Sequence, residues 1–189
     1  AKWPEYFADS NGAVINMGPG SPTGISFGHH SNFPAPYQDK LFICDWSFGS
    51  IYLIGMDGHG SSYVCTRTEF RNGQPLNISA MRFGPDGHMY FLVGGRNTDS
   101  RLYRIKYVGP SQKGAGKRLV ANQDLRDLRH SLEVFHGNPH AGNQAITMAW
   151  PHLSHPDRNI RYAARLAIEN QPVSLWQERV LREEDHRAL

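Results

Sequence analysis

The sequence predicts a β-then-α chain: a partial β-propeller of two to three antiparallel blades, followed by the start of an α-helical solenoid. Three observations carry this prediction. The runs Gly24-Ile-Ser-Phe-Gly28, Leu41-Phe-Ile-Cys44 and Ser50-Ile-Tyr-Leu-Ile54 are answered, in order, by Ala80-Met-Arg-Phe-Gly84, Met89-Tyr-Phe-Leu-Val93 and Arg101-Leu-Tyr-Arg-Ile105. The two sets lie about fifty residues apart and each reads as short strands joined by turns, which is the content and period of propeller blades. After Leu128 the apolar period changes from two to 3.6, the helical value. A propeller closes with about four to eight blades, so the visible two to three imply a piece of a larger protein.

Residues 1–108 hold the β part. Lys2 to Phe7 and Ala13-Val14-Ile15 lead in, and the cluster Gly18-Pro-Gly-Ser-Pro-Thr-Gly24 turns the chain into the first strand. A long excursion, His29 to Asp39, separates the first two strands of the first unit. In the second unit the equivalent connection is the short Pro85-Asp86-Gly87, a strong hairpin signal. Strand three of the first unit runs to Met56 and turns at Asp57-Gly58. Ser62 to Phe70 then alternates as an outer strand that Asn72-Gly73 ends. Residues 109–127 read as a linker and residues 128–189 as helical repeats. Helices are expected over Arg129–Phe135, Gln144–Leu153, Arg158–Asn170 and Ser174–Glu183. Asp157 is the N-cap of the third, and Ile160, Ala163, Ala164, Ala167 and Ile168 form its apolar stripe.

Bulk composition excludes several classes. Hydrophobic content of 39% and charged content of 20% suit a folded chain rather than a disordered one. No apolar run reaches the length of about 18 residues that a membrane helix needs. The chain starts at Ala1 with no apolar leader after it, so no signal peptide is visible and the start is read as processed or truncated. The net charge is +3. Lys106, Lys113, Lys117 and Arg118 gather beside the Gly-rich stretch 108–116, without the interleaved aromatic rings a nucleic-acid surface uses. That stretch reads as a solvated linker, and no nucleic-acid partner is expected.

Metal and nucleophile patterns are weak. Cys44 and Cys65 each lie in a strand-like run and read as buried hydrophobes, with pairing left open for an oxidising compartment. There is no Cys-x-x-Cys-His, so this chain does not attach a c-type haem. His29 and His30 are adjacent and point apart in a strand. His136 and His140 have helical ligand spacing, but Gly137 and Pro139 break the helix, while His152 and His155 flank a turn. No metal site is expected. Hydrolase-elbow, phosphate-loop and dinucleotide motifs are absent. Asn77-Ile78-Ser79 is formally a glycosylation sequon, relevant only to a secreted eukaryotic protein.

Two resemblances follow from the residues. Trp150 to Arg165 resembles a HEAT repeat through Asp157, Ile160, Arg161, Ala163 and Ala164. Thr23-Gly24-Ile25, Phe33-Pro34-x-x-Tyr37, Lys40-Leu-Phe-Ile, Gly84-Pro-Asp-Gly87 and Leu102-Tyr-Arg-Ile105 resemble the last blades of the glucose/sorbosone dehydrogenase family. The combination, with Gly18 to Gly24 and Cys44-Asp45-Trp46-Ser47, is similar to large secreted proteins of planctomycete-like bacteria. Those join such a propeller to HEAT repeats and a c-type haem domain. The likeness covers residues 3–108 and 128–183. It implies a periplasmic or extracellular parent that oxidises a carbohydrate-related substrate and passes electrons to a haem domain outside this chain. The family's enzymes hold pyrroloquinoline quinone with one Lys and two Arg, and at those motif positions this sequence has Ser47, Asn77 and Ser79. Without cations to pair with the quinone carboxylates, the departure argues against that cofactor here.

The remaining candidate is a rim site. By the repeat, Asp45 and Trp46 end one second strand and Arg96 and Asn97 end the next, on the same face near the channel mouth. Exposed, they supply a stacking plane with donors and acceptors for a sugar-like ligand. The structural alternative is an Asp–Arg pair and a Trp that tie neighbouring blades. The fragment itself is expected to be non-catalytic. The rival reading is a carbohydrate- or protein-binding scaffold using the propeller rim and the HEAT helices, and a weaker third is a helical adaptor capped by the β part. Leu175, Trp176, Val180 and Leu181 are expected to leave an apolar face partly open, and incomplete sheets are expected to expose unpaired edges.

Overall fold

The computed structural model describes residues 11–29, 31–110 and 121–185. The lead-in Lys2–Phe7, His30 and the basic stretch around Lys113, Lys117 and Arg118 lie outside the described residues. Among the described residues two antiparallel sheets and five helices form, accompanied by short 3-10 turns. The described residues fall into two compact units: 15–57 with 64–110, and 11–14 with 58–63 and 121–185. Among the described residues, no helix is long and apolar enough to cross a membrane.

The first unit holds both sheets. β1 (Pro22–Phe27), β2 (Leu41–Asp45), β3 (Ser50–His59) and β4 (Ser62–Asn72) form a four-stranded meander in sequence order. β5 (Ile78–Phe83), β6 (Met89–Gly95) and β7 (Thr98–Ile105) form a three-stranded one. The two registers match: Phe27 pairs with Leu41 as Phe83 pairs with Met89, which makes Ile43 the counterpart of Phe91. The sheets meet through opposite faces. The first contributes Phe42, Cys44 and Ile51, and the second contributes Met81, Met89, Phe91 and Val93. Side chains alternate along a strand, so Phe42 and Phe91 belong to non-equivalent faces of two equivalent sheets. Sheet follows sheet in the same sense.

Close approach sets the seam between the sheets. A Cβ on Gly24 would lie 2.7 Å from the Met81 backbone nitrogen, so β1 and β5 come together only because residue 24 has none. Beside it, the Thr23 hydroxyl donates to the Ile78 carbonyl at 2.6 Å. The excursion after β1 is not a plain loop. Pro34 and Pro36 start a one-turn helix, α1 (Ala35–Gln38), whose Gln38 amide donates to the Phe33 carbonyl at 2.7 Å. That holds Phe33, 4% exposed, within 5.7–6.2 Å of the rings of Phe42, Phe70, Phe83 and Tyr37. The sequence placed the excursion correctly and missed its helix.

The second unit is helical apart from one hairpin tip. It contains α2 (Gln123–Glu133), α3 (Asn143–Ala149) continued by a 3-10 turn over Trp150–His152, α4 (Arg158–Glu169) and the short α5 (Gln177–Val180). α2 starts inside the stretch read as a linker and stops before Phe135. The segment read as one helix from Ser174 is a 3-10 turn, Val173–Leu175, and then α5. Trp176 interrupts it with φ −131°, outside helical values. The stripe Ile160, Ala163, Ala164, Ala167 and Ile168 is buried against Leu132, Phe135, Ile146 and Trp150. Gln171, 3% exposed, joins the loops: its amide donates to the Asn138 carbonyl at 2.9 Å and its oxygen accepts from the Gly142 N–H at 2.7 Å. Of the expected open apolar face, Trp176 and Val180 pack partly on this core, while Leu175 and Leu181 stay exposed.

Residues 58–63, the tip of the β3–β4 hairpin, belong to this helical unit. Asp157 does more than cap α4. Its carboxylate accepts from the N–H groups of Asn159 (2.8 Å) and Ile160 (3.3 Å), and also from the Ser61 N–H (2.7 Å) and hydroxyl (2.8 Å). Ser61 is fully buried, and its carbonyl accepts from Arg129. Arg126, 1% exposed, reaches the Gly60 carbonyl at 3.5 Å and lies over the Tyr63 ring at 5.3 Å. Burial raises the pKa of Asp157, but the Ser61 N–H and hydroxyl and the Asn159 and Ile160 N–H groups outweigh it, holding the carboxyl below its ordinary value.

Candidate functional site

The chemistry-bearing loops of the sheet unit lie where β2 turns into β3 and β6 into β7. Arg96 and Asn97 are the two central residues of the second turn, between the paired Gly95 and Thr98. Both have positive φ, 47° and 67°, the pattern of a type I′ hairpin. Asparagine tolerates that conformation and arginine tolerates it less well. Arg96 is held by a contact instead: its guanidinium lies over the Trp46 ring at 5.4 Å. The Trp46 indole N–H donates to the Gly94 carbonyl at 2.8 Å, and the Trp46 carbonyl accepts from the Asn77 amide at 2.9 Å. A Cβ on Gly95 would lie 3.4 Å from that indole nitrogen. Trp46 therefore bridges the two sheets.

Asp45 is not an exposed rim carboxylate. It is 4% exposed, and its Oδ1 accepts from the Phe48 N–H at 3.0 Å and the Ser21 N–H at 3.3 Å. It turns to backbone rather than to Arg96, because two N–H groups of its own turn and of the preceding loop lie within reach. A Cβ on Gly20 would collide with this carboxylate. Asp45, Trp46, Arg96 and Asn97 are thus brought to one end of the sheets. Arg96 and Asn97 face solvent, Trp46 is half-buried and Asp45 is inside.

Ser47, Asn77 and Ser79, the positions that the expected resemblance singled out, all make intramolecular hydrogen bonds. Ser47 donates to the Ser21 hydroxyl at 2.8 Å, Asn77 to Trp46, and Ser79 to the Leu92 carbonyl at 3.3 Å. Their chemistry is neutral, and the Asn77 amide that the sequon would modify is committed to the Trp46 loop.

The other singled-out residues are dispersed. His29 is exposed and stacks on Phe27 at 5.0 Å. His136 bonds the Ala163 carbonyl at 2.9 Å, and the His155 Nδ1 accepts from the Asp157 N–H at 3.0 Å. His152 faces His155 at 6.2 Å, and burial, then the neighbouring imidazole, lowers its pKa. No group of three or more His, Cys, Asp or Glu side chains gathers at metal spacing among the described residues. Cys44 and Cys65 are both free. Burial pushes the Cys44 thiol up to about 12, which makes it inert as a nucleophile.

One feature was not found from the sequence. Phe48, in the β2–β3 turn, is 49% exposed and borders a groove of about 430 Å³ with Tyr52 of β3, Glu69 and Asn72 of β4, and Gln74. The only sequence signal was an aromatic residue inside a turn, between Ser47 and Gly49. The chain matches no protein-family model, no curated protein and no solved structure.

Proposed function

We propose that this chain supplies consecutive blades of a propeller, and the first HEAT-like helices after them, to a larger extracytoplasmic protein of the sugar-dehydrogenase-like type. Within that parent, which would oxidise a carbohydrate-related substrate and pass electrons to a separate haem domain, this segment acts as scaffold. The observation that carries the reading is the same-sense stacking of two register-matched sheets, the relation between successive blades. The four-stranded first sheet has the strand number of a blade, and Gly24 and Trp46 make the seam a built contact.

The scaffold role, rather than a reactive one, is supported by how the site's polar groups are used. Asp45, Ser47, Asn77 and the Trp46 indole bond to protein, and the quinone-anchoring cations of the dehydrogenases are replaced by neutral groups. The test is a titration of the chain with pyrroloquinoline quinone, followed by tryptophan fluorescence and by aldose-dependent reduction of an artificial electron acceptor. No saturable quenching and no turnover are expected. Saturable quinone binding with turnover would sink the scaffold reading.

A further inference from the structure

We propose that the groove beside Phe48 binds a neutral saccharide. Phe48 is a half-exposed aromatic ring on a turn that cannot move freely. The Phe48 N–H is held by the buried Asp45 carboxylate at 3.0 Å. The next residue, Gly49, has φ 61°, and its carbonyl accepts from the Gly73 N–H at 3.1 Å. A Cβ there would lie 2.3 Å from the Gly73 carbonyl oxygen, so the Phe48 turn and the loop after β4 are in direct contact. The ring is presented to solvent on a pinned backbone, which lowers the ordering cost of stacking a ligand on it.

The other lining groups select the ligand. The Glu69 carboxylate accepts from the Asn72 amide at 2.7 Å, which orients both side chains along β4. With Gln74 they offer carboxylate and carbonyl acceptors and amide donors within one groove. A wholly apolar ligand would cover these groups without bonding them, at a cost. An anion would meet the Glu69 carboxylate. The nearby cation, Arg67, lies over the Tyr52 ring at 4.9 Å and donates to the Met17 carbonyl, so it already has partners. A sugar ring satisfies the set: its C–H face stacks on Phe48 and its hydroxyls both donate and accept. The volume lies within the range of small-ligand sites, about 300–1,000 Å³. Asp45 enters as a positioning residue, through the turn that carries Phe48. The proposal goes beyond the blade reading and stands on the groove chemistry alone.

The test is calorimetric titration of the chain with cellohexaose, maltohexaose, mannohexaose and xylohexaose. Saturable binding of at least one is expected, weakened about tenfold by Phe48→Ala, the loss of one stacking contact. Glu69→Ala, at an exposed position, is expected to weaken it as well. Backbone amide shifts should centre on Asn72 and Gly73. Binding of none of the four, or binding unchanged in Phe48→Ala, would overturn the proposal, as would shifts centred on Arg96 and Asn97. Those outcomes leave the blade reading standing, whereas quinone-dependent turnover overturns the scaffold reading whatever the groove binds.

Discussion

Two backbone N–H groups, of Ser21 and Phe48, end on one buried carboxylate oxygen of Asp45. Asp45→Ala removes their acceptor and should cost about 1–3 kcal/mol in chemical denaturation, the penalty for buried polar groups left unpaired. The same substitution should weaken any ligand of the Phe48 groove, since it frees the turn that carries the ring. The two cysteines separate by burial. Cys65 sits in β4 with its side chain partly open, and Cys44 is fully enclosed with a protonated thiol. Pulsed alkylation of the native chain, read by mass spectrometry, should label Cys65 first and Cys44 only on unfolding. Equal labelling would contradict the enclosed position. The sequence showed both cysteines as strand residues, but not that Asp45 points inward. Its exposure was inferred from a strand-end position, and burial there depends on loop 16–21, which no local pattern reveals.

Elements meet in this chain where side chains are missing as much as where they are present. Gly24→Ala would place a methyl group 2.7 Å from the Met81 nitrogen, against backbone that cannot swing away. The expected loss is about 1–3 kcal/mol by overpacking, seen as a lower thermal midpoint. The tip over 58–63 gives a second prediction. Asp157→Ala removes one carboxylate from four donors and should destabilise the helical unit by about 1–2 kcal/mol through the cap alone. The charge adds a pH dependence whose sign is fixed by the lowered pKa. Its stabilisation is fully present above the ordinary value of 3.8 and is lost as pH falls through the lower folded value. Acid titration of the wild-type chain should therefore show a stability loss below about pH 4 that is smaller in Asp157→Asn. Strands, turns and the α4 cap were legible because each is written in neighbouring residues. The start of α2, the helix in the excursion and the break at Trp176 were not, since polar or proline-containing segments carry little periodicity and tertiary contacts decide them.

At the level of the whole molecule the cut between units does not follow the chain. The linker expectation put one boundary after residue 108, yet the hairpin tip at 58–63 groups with helices that start at Gln123. Nothing near Gly58 or Ser61 announces this. The partner Asp157 is 96 residues away, and its role as a helix cap was the only part visible from its neighbours. A segment limited to residues 121–185 should therefore melt below the same helices in the full chain, because Ser61 no longer fills the Asp157 carboxylate and Arg126 loses the Gly60 carbonyl and the Tyr63 ring. Circular dichroism at the helical minimum reads this directly. Equal midpoints would show the tip to be dispensable.

The distance between Ser61 and Asp157 also has a meaning in time. At elongation rates of about 5–20 residues per second, roughly 5–20 seconds separate the synthesis of Ser61 from that of the residue that receives it. Through that interval the strands on either side of the tip are already made, and the Ser61 N–H and hydroxyl have no carboxylate waiting for them. A ribosome that pauses between β7 and α2 would hold the nascent chain with its hairpin tip bare.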